Sequence, residues 1–143
     1  MNKLAAKIAT TKKLNGRQLF VRWYLIVTAA ITFAIGLVLL FWPEGILQWF
    51  IPGATGGFFI KFIGSSLIGY SALNALAAHS ADIFAQRLAL WSNFVTLVIA
   101  TGLAIYGVLS HQIHQNGWLI IFEHILFTAG FASCLWVSYK QAS

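Results

Sequence analysis

The sequence predicts an all-α fold, an integral membrane four-helix bundle running up and down with both termini cytoplasmic. Three observations carry this. The chain is 59% hydrophobic and only 8% charged, with a mean hydropathy of +0.81, whereas a soluble domain carries about 25% charged residues. Four apolar runs, 20–42, 58–78, 88–110 and 118–137, are each long enough for a hydrocarbon layer of about 30 Å. The basic residues then segregate. With the N-terminus inside, Lys3, Lys7, Lys12, Lys13, Arg17, Arg22, Arg87 and Lys140 all fall on the cytoplasmic side and only Lys61 falls outside, as expected where flanking cations are retained inside.

The 143 residues form one transmembrane domain with little length left for a soluble one. The basic tail 1–19 precedes the first span. Leu4, Ala5 and Ile8 can share one face of a short interfacial helix there, or the tail is frayed. Asn15-Gly16 marks the break before the span. Tail and span together mimic a signal peptide, but the apolar run is too long and ends in Trp42-Pro43-Glu44 rather than a small-residue cleavage site. It reads as an uncleaved signal anchor.

Span one holds no acid, and its single base, Arg22, lies near the inner end, where its stem can snorkel. Pro43 is expected to close the helix. The outer loop 43–57 includes Ile46, Leu47, Trp49, Phe50 and Ile51, too apolar for a free loop and expected to dip into the outer interface. Gly53, Gly56 and Gly57 supply the turn into span two.

Span two is rich in small residues. Ser65, Gly69 and Ala72 share one face; Gly64, Ser71, Ala75 and Ala78 share another. Small faces let helices approach closely in lipid, so this helix is expected to have neighbours on two sides. Span three carries Gly102 and Gly107. The connections 79–87 and 111–117 are short, which makes consecutive helices antiparallel neighbours. A four-residue likeness between Ala34–Leu37 and Ala100–Leu103 hints at a repeat. Trp23, Trp91 and Trp136 fall toward the inner interface and Trp42, Trp49 and Trp118 toward the outer one, the two aromatic belts of a spanning protein.

Net charge +6 does not imply nucleic acid. Six of the nine basic residues lie in the first 22 positions, where they suit anionic inner-leaflet headgroups. No nucleic-acid-binding motif accompanies them. Cys134 is the one cysteine, so no intramolecular disulfide forms, and it reads as a small core hydrophobe.

Ionisable groups inside lipid are costly and mark candidate sites. Lys61 and Glu123 lie roughly 5–8 Å below the outer ends of their spans at 1.5 Å per residue. Matched depth and opposite charge suggest an ion pair, either locking the fold or holding a proton, ion or ligand, with simple snorkelling as the alternative. His124 joins them as a candidate, though it points about 100° from Glu123 around the helix. His111 and His114 are three apart and could share a metal if that segment stays helical, but no known metal motif matches. A haem would need two facing axial histidines, and only His124 is clearly within a span. On the inner side, Asn74 and Asn93 match in depth and are expected to hydrogen-bond across spans two and three, typically for about 0.6 kcal/mol. His79 and Asp82 lie in a solvated loop.

No nucleophile triad, phosphate loop, paired-carboxylate site or thiol redox motif is present. Three acidic residues are a poor basis for acid–base catalysis. The chain therefore reads as a non-enzyme without a cofactor. Lys61-Phe-Ile-Gly64-(x)4-Gly69 opening span two, Arg87 before span three, and a Trp-led fourth span with His124 resemble small uncharacterised four-helix bacterial inner-membrane proteins. That resemblance implies fold and inner-membrane location only. Three functions fit the pattern. The first is an accessory or assembly subunit packed against a larger membrane complex or its own copy. The second is a small carrier or proton-coupled lipid or ligand binder using the outer-half polar site. The third is a redox subunit holding haem or quinone.

Overall fold

The structure, a computed structural model, describes residues 16–53 and 57–140. The tail 1–15, with the interfacial helix expected there, and Gly56 lie outside the described residues. The described residues form five helices: α1 Gly16–Phe41, α2 Pro43–Phe50, α3 Gly57–His79, α4 Ile83–Leu109 and α5 Gly117–Tyr139. Among them, α1, α4 and α5 are each long and apolar enough to cross a membrane. Helix α3 has a comparable length, 23 residues, but carries Lys61, Ser65, Ser66, Ser71 and Asn74.

One element departs from expectation. Pro43 does end α1, since it cannot continue the backbone ladder, but it also starts α2, where it occupies the first turn. Proline suits that position because its missing N–H would be unpaired there anyway. The apolar outer segment is therefore a short helix, burying Pro43 and Leu47, and not an irregular loop. Gly53 provides a turn with φ 82°.

The long helices pack as two antiparallel pairs, α1 with α3 and α4 with α5. In the first pair the backbones touch. A Cβ placed on Gly36 would lie 2.8 Å from the Gly64 carbonyl oxygen, and one on Gly64 would lie 2.8 Å from that of Gly36. Two turns lower, the Ser71 hydroxyl donates to the Ala29 carbonyl at 2.8 Å. The packed face of α3 is thus Gly64, Ser71, Ala78, while Ser65, Gly69 and Ala72 are exposed. Thr28 and Thr32 turn their hydroxyls back onto carbonyls of their own helix, which satisfies them inside an apolar helix.

In the second pair, Ile113 of the connecting turn seats against Gly107 and Gly117. Around it Ala104, Val108 and Ile121 form a cluster confined to α4, α5 and their turn. The two pairs join mainly at the other end. There Val21, Leu25, Ala77, Ala78, Ala89, Leu90, Phe131, Cys134 and Leu135 make one core drawn from all four long helices. Cys134 is fully buried within it as a free thiol. Tyr24 reaches from α1 into the notch left by Gly130, donates to the Phe127 carbonyl at 3.0 Å and meets Phe131 edge-on. At the far end, α2 spans the gap. The His114 N–H donates to the Phe50 carbonyl at 2.8 Å and the Asn116 amide to that of Trp49 at 3.2 Å.

All six tryptophans lie on the outside, Trp23, Trp91 and Trp136 near the end that carries Arg22 and Arg87, and Trp42, Trp49 and Trp118 near the far end.

Candidate functional site

Polar side chains inside this apolar protein gather at three levels. The central one is the seam between α3 and α4. Asn74 is 0% exposed and Asn93 7%. They exchange amide hydrogen bonds, Asn93 Nδ2 to Asn74 Oδ1 at 2.8 Å and Asn74 Nδ2 to Asn93 Oδ1 at 3.4 Å, and Asn93 also donates to the Ala89 carbonyl at 2.7 Å. One turn away, the hydroxyls of Tyr70 and Thr96 sit 3.3 Å apart across the same seam. A buried amide needs such partners, because leaving it unpaired costs about 1–3 kcal/mol.

The second level is in the far half of α5. The Glu123 carboxylate lies 3.5 Å from Nε2 of His124, and Nδ1 of that ring is buried without a partner. The helical offset between adjacent residues does not keep them apart, since both side chains are long enough to bend toward each other. Lys61 is exposed on α3, and among the described residues no ion pair joins it to Glu123. Depth along a helix is countable from sequence, whereas facing depends on how the helices rotate. Glu123→Gln is therefore expected to have the same effect with Lys61 or Lys61→Met. A double-mutant cycle on unfolding in detergent should give coupling below about 0.5 kcal/mol; a larger value would restore the pair.

His111 and His114 do not meet the helical condition for sharing a metal. Helix α4 ends at Leu109, and His111 adopts φ 58°, which breaks the i, i+3 alignment. Both rings border an open depression of about 650 Å³ with Ile113 and Trp118. Among the described residues no three His, Cys, Asp or Glu side chains come together to hold an ion. His111 and His114 are exposed in the connecting turn, so neither faces His124 across the interior as a bis-histidine haem requires.

The third level is the basic end, which sequence reasoning treated as an orientation signal and a match for anionic headgroups, without assigning contacts to Arg22 or Arg87. Arg22 on α1 donates to the Ser80 carbonyl at 3.1 Å, just past the last residue of α3, and Gln86 donates to the same oxygen at 3.0 Å. Arg87 on α4 donates to the Ser138 carbonyl in the last turn of α5 and lies 4.4 Å above the Tyr139 ring. Tyr139 also receives the Trp91 indole N–H at 3.1 Å. Each guanidinium thus meets the carbonyl end of the partner helix, where the helix dipole favours a cation. Asp82 caps α4 by accepting from the Phe84 N–H at 2.8 Å. An available signal was that each pair opens with an arginine in the first two turns of its first helix.

These features define a class: an all-helical protein with three helices apolar enough to span a membrane and its buried amides matched across a helix seam. Comparison with protein-family models, curated proteins and solved structures gave no match.

Proposed function

We propose that the chain is a four-span protein of the cell inner (plasma) membrane, with both termini cytoplasmic, that works without catalysis as an accessory or assembly subunit. Its spans are α1, α3, α4 and α5. Helix α3 is interrupted by polar residues, but two of them, Ser71 and Asn74, are buried. At 1.5 Å per residue it is still about 34 Å long, enough for the hydrocarbon layer. The basic end, with Arg17, Arg22, Arg87 and Lys140, faces the cytoplasm under the positive-inside rule.

The observation that carries the subunit reading is the pair Gly69 and Gly102. Both lie in helix interiors, where glycine costs about 1 kcal/mol relative to alanine. Both are exposed, and a Cβ on either would meet nothing within 4 Å. Neither glycine serves packing within this chain. Glycine on a lipid-facing helix permits close approach of a second helix, from a larger complex or another copy.

Mild solubilisation and sizing should recover an assembly heavier than the 15.8 kDa chain. Gly69→Leu and Gly102→Leu are expected to release the partner while leaving the helical circular-dichroism spectrum intact. A monodisperse single chain, unaffected by either change, would end this reading.

A second reading, a small lipid or ligand binder with a proton-coupled site, is favoured by the unpartnered Nδ1 of His124 beside Glu123.

A further inference from the structure

The basic end holds two guanidinium groups whose hydrogen bonding is incomplete. Arg22 and Arg87 each place one nitrogen on a backbone carbonyl, and the Nε of each is buried with no acceptor. Among the described residues neither is paired with a carboxylate. A helix C-terminus contributes only about half a negative charge, so each arginine keeps uncompensated positive charge. Arg17 is exposed nearby, and Lys140 stacks 4.6 Å over Trp136. The one acid at this end, Asp82, is committed to the Phe84 N–H. Arg22 and Gln86 converge on one carbonyl oxygen, and Arg87 follows Gln86 directly, so the two arginines flank the same connection.

We infer that this rim binds the phosphodiester headgroup of an anionic phospholipid, with Arg22 and Arg87 as its principal ligands. The guanidinium fork matches phosphate oxygens in shape and charge. A headgroup lying against these half-buried guanidinium groups supplies the missing counter-charge. The source is lipid rather than soluble phosphate because Trp23, Trp91 and Trp136 lie toward the same end and are all exposed, as residues at a bilayer interface are. Basic pockets between helices on the cytoplasmic side suit such headgroups. This rests on the membrane orientation proposed above and is independent of any protein partner.

The test uses the full chain in a neutral detergent, followed by thermal unfolding. Phosphatidylglycerol is expected to raise Tm by about 5 °C, the size that ligand linkage produces in a small domain. Phosphatidylcholine and inorganic phosphate should leave it unchanged. The double variant Arg22→Gln, Arg87→Gln should lose the phosphatidylglycerol increment, and Arg17→Gln should keep it. Equal shifts with the two lipids would overturn the site. A shift with inorganic phosphate equal to that with phosphatidylglycerol would overturn the lipid assignment. Loss in Arg17→Gln as complete as in the double variant would reduce the effect to diffuse charge and remove the site. Should the double variant not fold, native mass spectrometry of the unaltered protein decides. A retained phosphatidylglycerol adduct in preference to phosphatidylcholine supports the site, and equal retention removes it. A partner-free monomer that still retains phosphatidylglycerol would count against the subunit reading alone.

Discussion

Gly36→Leu and Gly64→Leu are each expected to destabilise the protein by about 3 kcal/mol, the upper part of the usual cost of overpacking. The two backbones already touch at these residues. A Cβ at either position would come within 2.8 Å of a carbonyl oxygen on the facing helix. Backbone cannot swing aside as a flexible side chain would, so the helices must separate. Separation also stretches the Ser71 to Ala29 hydrogen bond two turns below. The control is Gly69→Leu on the same helix, where a Cβ meets nothing within 4 Å. In the partner-free chain, removing that glycine should leave stability unchanged or raise it by a fraction of a kcal/mol, because glycine is a poor helix former. Reversible unfolding in mixed micelles, followed by circular dichroism, measures both. Equal costs at Gly36, Gly64 and Gly69 would show that α1 and α3 do not pack through this face.

That contrast shows what the sequence carried and what it did not. The four long helices, their short connections and their approximate ends were readable from hydropathy, and three of these helices are long and apolar enough to cross a membrane. The structure extends them by a few residues, as with α4, which starts at Ile83 because Asp82 caps it. Both small-residue faces of α3 were visible as well. Both were expected to pack, yet within the chain only Gly64–Ser71 does, because Gly36 on another helix meets that face while Ser65, Gly69 and Ala72 are exposed. The same limit applies to the candidate site. Asn74 and Asn93 were matched by depth and also face each other. Lys61 and Glu123 were matched by depth, yet the carboxylate contacts His124. Counting residues fixes height along a helix, and rotation about its axis is decided by neighbours elsewhere in the chain. Helix α2 was hidden for a local reason: Pro43 can stop one helix and start the next, and sequence shows only the proline.

The buried amide pair gives the second large effect, and it is asymmetric. Asn74 has Asn93 as its partner for both the donor and the acceptor of its amide. Asn93 has a further partner, the Ala89 carbonyl. Asn93→Leu therefore strands both polar groups of a side chain that is 0% exposed. Asn74→Leu strands chiefly the Asn93 carbonyl oxygen, since the Asn93 amide nitrogen keeps Ala89. With each stranded group costing about 1–3 kcal/mol, Asn93→Leu should destabilise by about 3 kcal/mol and Asn74→Leu by about 1.5 kcal/mol. The double variant removes the stranded groups together with the bonds. Its cost should then fall below that of Asn93→Leu alone, because replacing both partners by apolar groups of similar shape is nearly neutral. Unfolding of all four proteins in mixed micelles closes the cycle. Purely additive losses, or a larger cost at Asn74 than at Asn93, would mean that the amides do not depend on each other. The order Asn93→Leu, then Asn74→Leu, then the double variant as the mildest is what reciprocal bonding inside a buried helix seam requires.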